Sequence, residues 1–323
     1  MTSMVNIGPV FTNSSHFPYL KPSLSIADQL EQLQARGLII DDTAEVLSLL
    51  SHINYYRLEA YWYTFYEKNR PDHFFVSGTR FDKVWSQYCF DRRLRAHISH
   101  ALERIEVSFR TQFAYHLSQK FGPFPLNLGT LDFTSIQWDT ESANLCKTCK
   151  SSNELFAIHF YSKYSDDLLP IWALVEILSF GSIVFYYKRI KSIPLKKQIS
   201  IVYGLDPKEL SSWLQHLYYI RNTCAHHSRL WNKRLTVLPS PPQRTINQEI
   251  NSRWIFPPCE RHENDPYNER RLFNTILIVD YFLLQICPKN TWKKEISDLI
   301  RNYSIDAIRM GFPENWEMDS FWQ

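Results

Sequence analysis

Residues 90–113 read FDRRLRAHISHALERIEVSFRTQF, and their spacing decides the fold. Leu94, Ile98, Leu102, Ile105, Phe109 and Phe113 recur every three or four residues, the interval at which side chains share one face of an α-helix. With Asp82 as a candidate N-cap and Pro123 and Pro125 beyond the far end, the stripe predicts one long helix over about 83–120. A second row, Arg92, Arg95, Ser99, Glu103, Glu106 and Arg110, lies about 100° round the same helix. Arg92, Arg95 and Arg110 read there as phosphate contacts. The same row reads equally as a solvated face carrying a Glu106–Arg110 pair four residues apart.

The helical interval persists outward in both directions. Helices are expected over 24–36, with Ser25 near the start and Gly37 as a stop, over 43–52 after two aspartates, and over 54–67. FFVSGTRF, 74–81, reads as a short strand pair around Ser77-Gly78. Further helices are expected at 156–164, 171–190, 208–232 (opened by Asp206 and Pro207), 268–287 and 291–309. Only 8 of the 323 residues are glycine, which disfavours sheets joined by tight turns. The expected fold is therefore mainly α. It divides into an arm, 1–20, a small helical N-terminal region with a short hairpin, 21–82, and a central helical domain, 83–235. An irregular insertion, about 126–155, interrupts that domain. A Pro-rich linker, 238–244, leads to a helical C-terminal extension, 245–323.

Composition excludes some functions. A formal net charge of +3 means that any nucleic-acid site is a local patch. The six cysteines are scattered, and the first fifteen residues lack a basic-then-apolar pattern, so a reduced, cytoplasmic protein is expected. LLPIWALVEILSFGSIVFYY, 168–187, has nearly the length of a membrane span. Glu176 at its middle and Pro170, Ser179, Gly181 and Ser182 make it a buried bundle helix instead, with no membrane partner. Glu176 then needs a partner, either an arginine such as Arg221 or a buried hydrogen bond. Cys146-x2-Cys149 and Cys259-x2-His262 carry zinc-type ligands as two weak halves, and no metal or other cofactor is assigned. The aromatic residues of 55–66 suit base stacking, but Leu58, Trp62 and Phe65 keep helical spacing and suit a core better.

The chemistry-bearing stretch is YIRNTCAHHSRLWN, 219–232. On a helix over 208–232, Trp213, Leu217, Ile220 and Cys224 form the core face. His226 then lies about 200° from Cys224 and points outward, while His227 lies about 60° away, nearer the core. Asn222 and His226 share a face, while Arg221 borders the core face with a side chain long enough to swing out beside them. The plain structural reading is that Arg221 and His226 cap, pair or pack at a helix end.

RNTCAH, 221–226, fits the R-N-x-x-x-H form of the R-x4-6-H motif of the HEPN family. Around it, INYYRLEAYWYTF (53–65), FDRRLRAHISHALERIEVSFR (90–110), PIWALVEILSFGS (170–182), SWLQHLYYIRNTCAHHSRLWN (212–232) and MGFPENW (310–316) resemble, in order, the Abi-like (AbiD/AbiF) abortive-infection proteins of bacteria. The resemblance implies a HEPN-type helical bundle and a metal-independent endoribonuclease whose site is shared across a homodimer. Arg221, Asn222 and His226 would be its active positions. Apart from the resemblance, His227 and Arg229 read as RNA contacts beside Arg92, Arg95 and Arg110. It also implies an anti-phage or toxin–antitoxin role, in some members with a small non-coding RNA as partner. The residue types suit this chemistry. Imidazole titrates near neutrality and serves as acid or base; Arg offers a fixed cationic fork to phosphate; Asn holds an imidazole or a phosphate oxygen. Two other readings remain open at this point: an RNA-binding module without cleavage, and a protein-interaction scaffold.

Overall fold

The computed structural model describes residues 22–68, 70, 72–243, 248–256 and 269–322. The expected arm, 1–20, lies outside them. Among the described residues the chain is a mainly α helical bundle of thirteen α-helices without strands. By its contacts it divides into two compact units, residues 1–85 and 86–323.

In the first unit, α1 (Ile26–Ala35) opens on a capping box: the Ser25 hydroxyl accepts the Asp28 N–H, and the Asp28 carboxylate accepts the Ser25 N–H. Gly37, at φ +89°, stops it. α2 (Thr43–His52) begins at an Asp42 cap. α3 (Tyr55–Trp62) is shorter than the expected 54–67, because the chain tightens into a 3-10 turn at Tyr63–Phe65. Leu33, Leu58 and Trp62 are fully buried, so the aromatic stretch serves mainly as core, while Tyr56 stays exposed. The expected strand pair does not form. Phe75 bridges back to Tyr66, and Arg80 pairs in parallel with Ile39. The two flanks of Ser77-Gly78 thus find different partners.

α4 (Phe81–Phe121) is the long helix. Asp82 sits inside its first turn instead of capping it. The whole predicted stripe from Leu94 to Phe113 is buried. Several places in the second unit differ from expectation, among them the helix expected over 291–309, which ends at Asn302. The supposed irregular insertion contains α5 (Ser135–Lys150), opened by a Thr134–Gln137 capping box; α6 (Leu155–Lys163) follows. The apolar run 171–190 is two helices, α7 (Ile171–Ile177) and α8 (Phe180–Arg189), because Ser179 turns out of the helix and caps α8 through the Ser182 N–H. No helix among the described residues is long and apolar enough to cross a membrane. α9 (Ile193–Ile201) was not anticipated. α10 (Pro207–Ala225) starts where Asp206 and Pro207 predict but ends seven residues before 232.

α10 packs on α8 and α9. Gly181 lets α8 approach closely, since a Cβ there would lie 2.6 Å from the Tyr218 ring. The predicted linker is pinned along α10: the Trp213 indole N–H donates to the Ser240 carbonyl at 2.9 Å, and the Gln243 N–H donates to Glu209 at 3.0 Å. The tail supplies α11 (Gln248–Arg253), α12 (Phe273–Ile286) and α13 (Trp292–Asn302), then a 3-10 turn at Ala307–Met310. Trp254 stacks on Trp213, and the Trp292 indole N–H donates to the His97 carbonyl of α4.

Candidate functional site

α10 buries Trp213, Leu217, Ile220 and Cys224, as its period predicts. Burial pushes the Cys224 thiol up to about 11, so it stays protonated and inert near neutrality. His216 is fully buried in the same helix. Its two ring nitrogens meet the Val237 carbonyl at 2.7 Å and the Thr275 hydroxyl at 2.8 Å. Burial lowers its pKa to about 4, which makes it a neutral structural imidazole beyond the reach of any substrate.

Arg221 leaves the edge of the core face of α10 with its side chain about half exposed. Its Nε lies 3.8 Å from the Glu106 carboxylate of α4. Glu106 is also paired, one turn along, with Arg110, whose guanidinium donates to the Val175 carbonyl at the end of α7. Arg110 therefore fixes Glu106 from below, and Glu106 steadies Arg221 from above. The outer contact is long and its guanidinium half-exposed, a geometry that contributes about 0–1 kcal/mol, so Arg221 can turn to an anion. Ser99, Glu103, Glu106, Arg110, Arg221 and Ala225 line a groove of about 370 Å³ between α4 and α10.

The end of α10 corrects the sequence geometry. His226 is the C-cap and His227 takes φ +54°, so the helical wheel stops applying there. Both imidazoles are exposed; His227 does not turn toward the core as predicted. Asn222 is half-buried, and its carbonyl accepts the His226 N–H at 3.0 Å. Arg229 is half-buried.

The arginine row on α4 does not converge on one place. Arg92 and Arg110 are eighteen residues apart, about 27 Å along a helix. Arg92 is exposed. Arg95 is buried, paired with Asp91, and donates to the Ser228 carbonyl at 3.3 Å, so it serves the fold of the turn and does not face solvent. Arg110 forms the Glu106 pair that its spacing allows. Glu176 is exposed on α7, and the carboxylate beside Arg221 is Glu106 instead. Cys146 and Cys149 are free thiols on the last turn of α5; Cys259 and His262 lie outside the described residues.

Sequence reasoning left Glu106 and Asp91 out of the site. Glu106 was visible as the partner of Arg110. Asp91 showed locally only its spacing to Arg95; its grip on the amides of Leu230 and Trp231, at 3.1 and 2.8 Å, left no local sign.

A family model described as Abi-like protein matches residues 48–232, more than half of the chain, and takes in α10 and the turn after it. No curated protein and no solved structure matches.

Proposed function

The chain belongs to the Abi-like protein family, and on that premise we propose that it is a metal-independent endoribonuclease of a bacterial abortive-infection system. One observation carries this reading: a helix that buries its other chemistry presents Arg221 and His226 to solvent at one end, beside a groove.

The cleavage needs no metal because RNA holds its own nucleophile. The 2′-OH attacks the adjacent phosphorus, and the 5′-oxygen of the next nucleotide leaves. One imidazole takes the 2′-OH proton and another protonates the leaving oxygen. The Arg221 guanidinium, turning from Glu106, stabilises the charge that builds on the phosphoryl oxygens. Asn222 orients the His226 end of the helix. The products are a 2′,3′-cyclic phosphate and a 5′-OH. Since each chain offers one His226, the full site is a two-fold homodimer in which one copy supplies the base and the other the acid. His227 and Arg229 extend the RNA contact. The helical bundle and the Arg221–His226 spacing support the HEPN type. A small non-coding RNA occupying this surface would hold the enzyme silent, as toxin–antitoxin control requires.

The test uses purified chain and defined single-stranded RNA in excess EDTA. Cyclic-phosphate ends, an inert DNA strand of the same sequence and loss of cleavage in His226→Ala support the reading. Strict Mg²⁺ dependence with 5′-phosphate ends rejects the mechanism. RNA that co-purifies intact and is bound without cleavage gives the alternative, an RNA-binding module of a defence ribonucleoprotein.

A further inference from the structure

Between Ala225 and Trp231 the chain is held at both ends. At the near end, the N–H groups of His226, His227 and Ser228 donate back to Asn222, Cys224 and Thr223 at 3.0, 2.9 and 3.0 Å. The last two bonds are the pair of a Schellman turn, and its pivot is His227 in the left-handed region. Glycine usually takes that place, because a Cβ crowds the following carbonyl.

At the far end, Asp91 reaches over from α4, wholly buried. Its carboxylate accepts the N–H of Leu230 at 3.1 Å and of Trp231 at 2.8 Å. The Arg95 guanidinium paired with it reaches back to the Ser228 carbonyl at 3.3 Å. The residues caught between the two grips include the exposed pair His226 and His227.

Capping α10 does not require the second grip, since the Schellman turn is complete at Ser228. A buried ion pair is also a poor way to gain stability, because apolar side chains of the same volume often serve as well or better. A non-glycine residue held at a left-handed pivot is a second, independent sign that placement outranks stability at this turn. We propose that Asp91 is a positioning residue: with Arg95 it fixes the turn so that His226 and His227 stand at set places on the Arg221 end of α10. The proposal rests on the ribonuclease reading of that site.

The test compares full-length wild type, Asp91→Asn and Asp91→Glu. Folding is followed by urea titration, the ring Cε1–H signals of His226 and His227 by NMR, and RNA cleavage by kcat and KM. Expected for Asp91→Asn is a kcat about 100-fold lower with KM within about threefold, the cost of a misplaced catalytic group. The two ring signals collapse toward those of free imidazole, and Asp91→Glu recovers part of both. A folded Asp91→Asn chain with wild-type kcat and unchanged ring signals overturns the proposal. If Asp91→Asn does not fold, hydrogen exchange on the wild type decides. Leu230 and Trp231 amides protected as strongly as that of Ile220 support the grip, and exchange at the rate of an open loop overturns it. A wild-type chain that cleaves no RNA sinks the ribonuclease reading, while the ring signals and amide exchange still judge the role of Asp91.

Discussion

The Asp91 carboxylate accepts the Trp231 N–H at 2.8 Å, joining residues 140 positions apart. The Leu230 and Trp231 side chains are buried on the inner side of the turn, while His226 and His227 stand exposed a few residues earlier. One short segment thus separates its work: two apolar anchors and their amides face in, and two imidazoles face out.

His226→Ala tests the outward half. The ring is exposed, so unfolding free energy should change by no more than about 0.5 kcal/mol. RNA cleavage should fall by about 100-fold or more, the loss expected for a general acid or base. Equal cleavage by mutant and wild type on purified RNA would remove His226 from the mechanism.

His227→Gly tests the strained pivot. Glycine accepts φ +54° without steric cost, so the variant should be more stable by about 0.5–1 kcal/mol in urea titration. Cleavage should drop less than in His226→Ala. A variant less stable than wild type would mean that the imidazole bonds give back more than the backbone strain costs.

Gly181 and Tyr218 should couple. Adding a Cβ at 181 places it 2.6 Å from the Tyr218 ring. Gly181→Ala should therefore cost about 1–2 kcal/mol through displacement of that ring. In a Tyr218→Ala background the same change should cost under about 0.5 kcal/mol. Equal costs in both backgrounds would show that the ring swings aside freely. Tyr218 lies three residues before Arg221, so cleavage should fall with the single change and be read alongside stability.

His216 should make the fold acid-sensitive. Burial depresses its pKa to about 4 from an ordinary 6.5. Between those values the unfolded chain takes up a proton that the folded chain refuses. The contribution of neutral His216 is full above pH 6.5, shrinks as pH falls and is spent near pH 4, with a total of roughly 3 kcal/mol. Urea midpoints at pH 7, 6, 5 and 4.5 should fall accordingly, and the fall should flatten in His216→Gln. An unchanged slope in that variant would place the acid sensitivity elsewhere.

Much of this was legible in the sequence because single helices declare themselves. α2 has the bounds its pattern predicts, and every member of the Leu94–Phe113 stripe is buried. The misses have physical causes. α5 buries little, chiefly Leu145 and Cys149, and exposes Ile136, so it has no apolar stripe; its capping box at Thr134 and Gln137 was the only sign. The continuous apolar run over 171–190 hid the break at Ser179, which a cap residue alone marks. α10 ends without a glycine or proline, and the left-handed His227 gave the sequence no stop signal. In the candidate site, Arg221 and His226 could be found locally. The burial of Arg95 and the function of Asp91 could not, because both arise from a segment more than 130 residues downstream.

The span of that bond matters during synthesis. Domains form as the chain emerges from the ribosome, and a contact closing so long a stretch waits for its last partner. A nascent or prematurely terminated chain that stops at Arg229 already carries Arg221, Asn222 and both histidines, yet has no Leu230 or Trp231 amide for Asp91 to hold. Interrupted translation products therefore leave the far end of the histidine turn unfastened, and only a chain translated past Trp231 can close it.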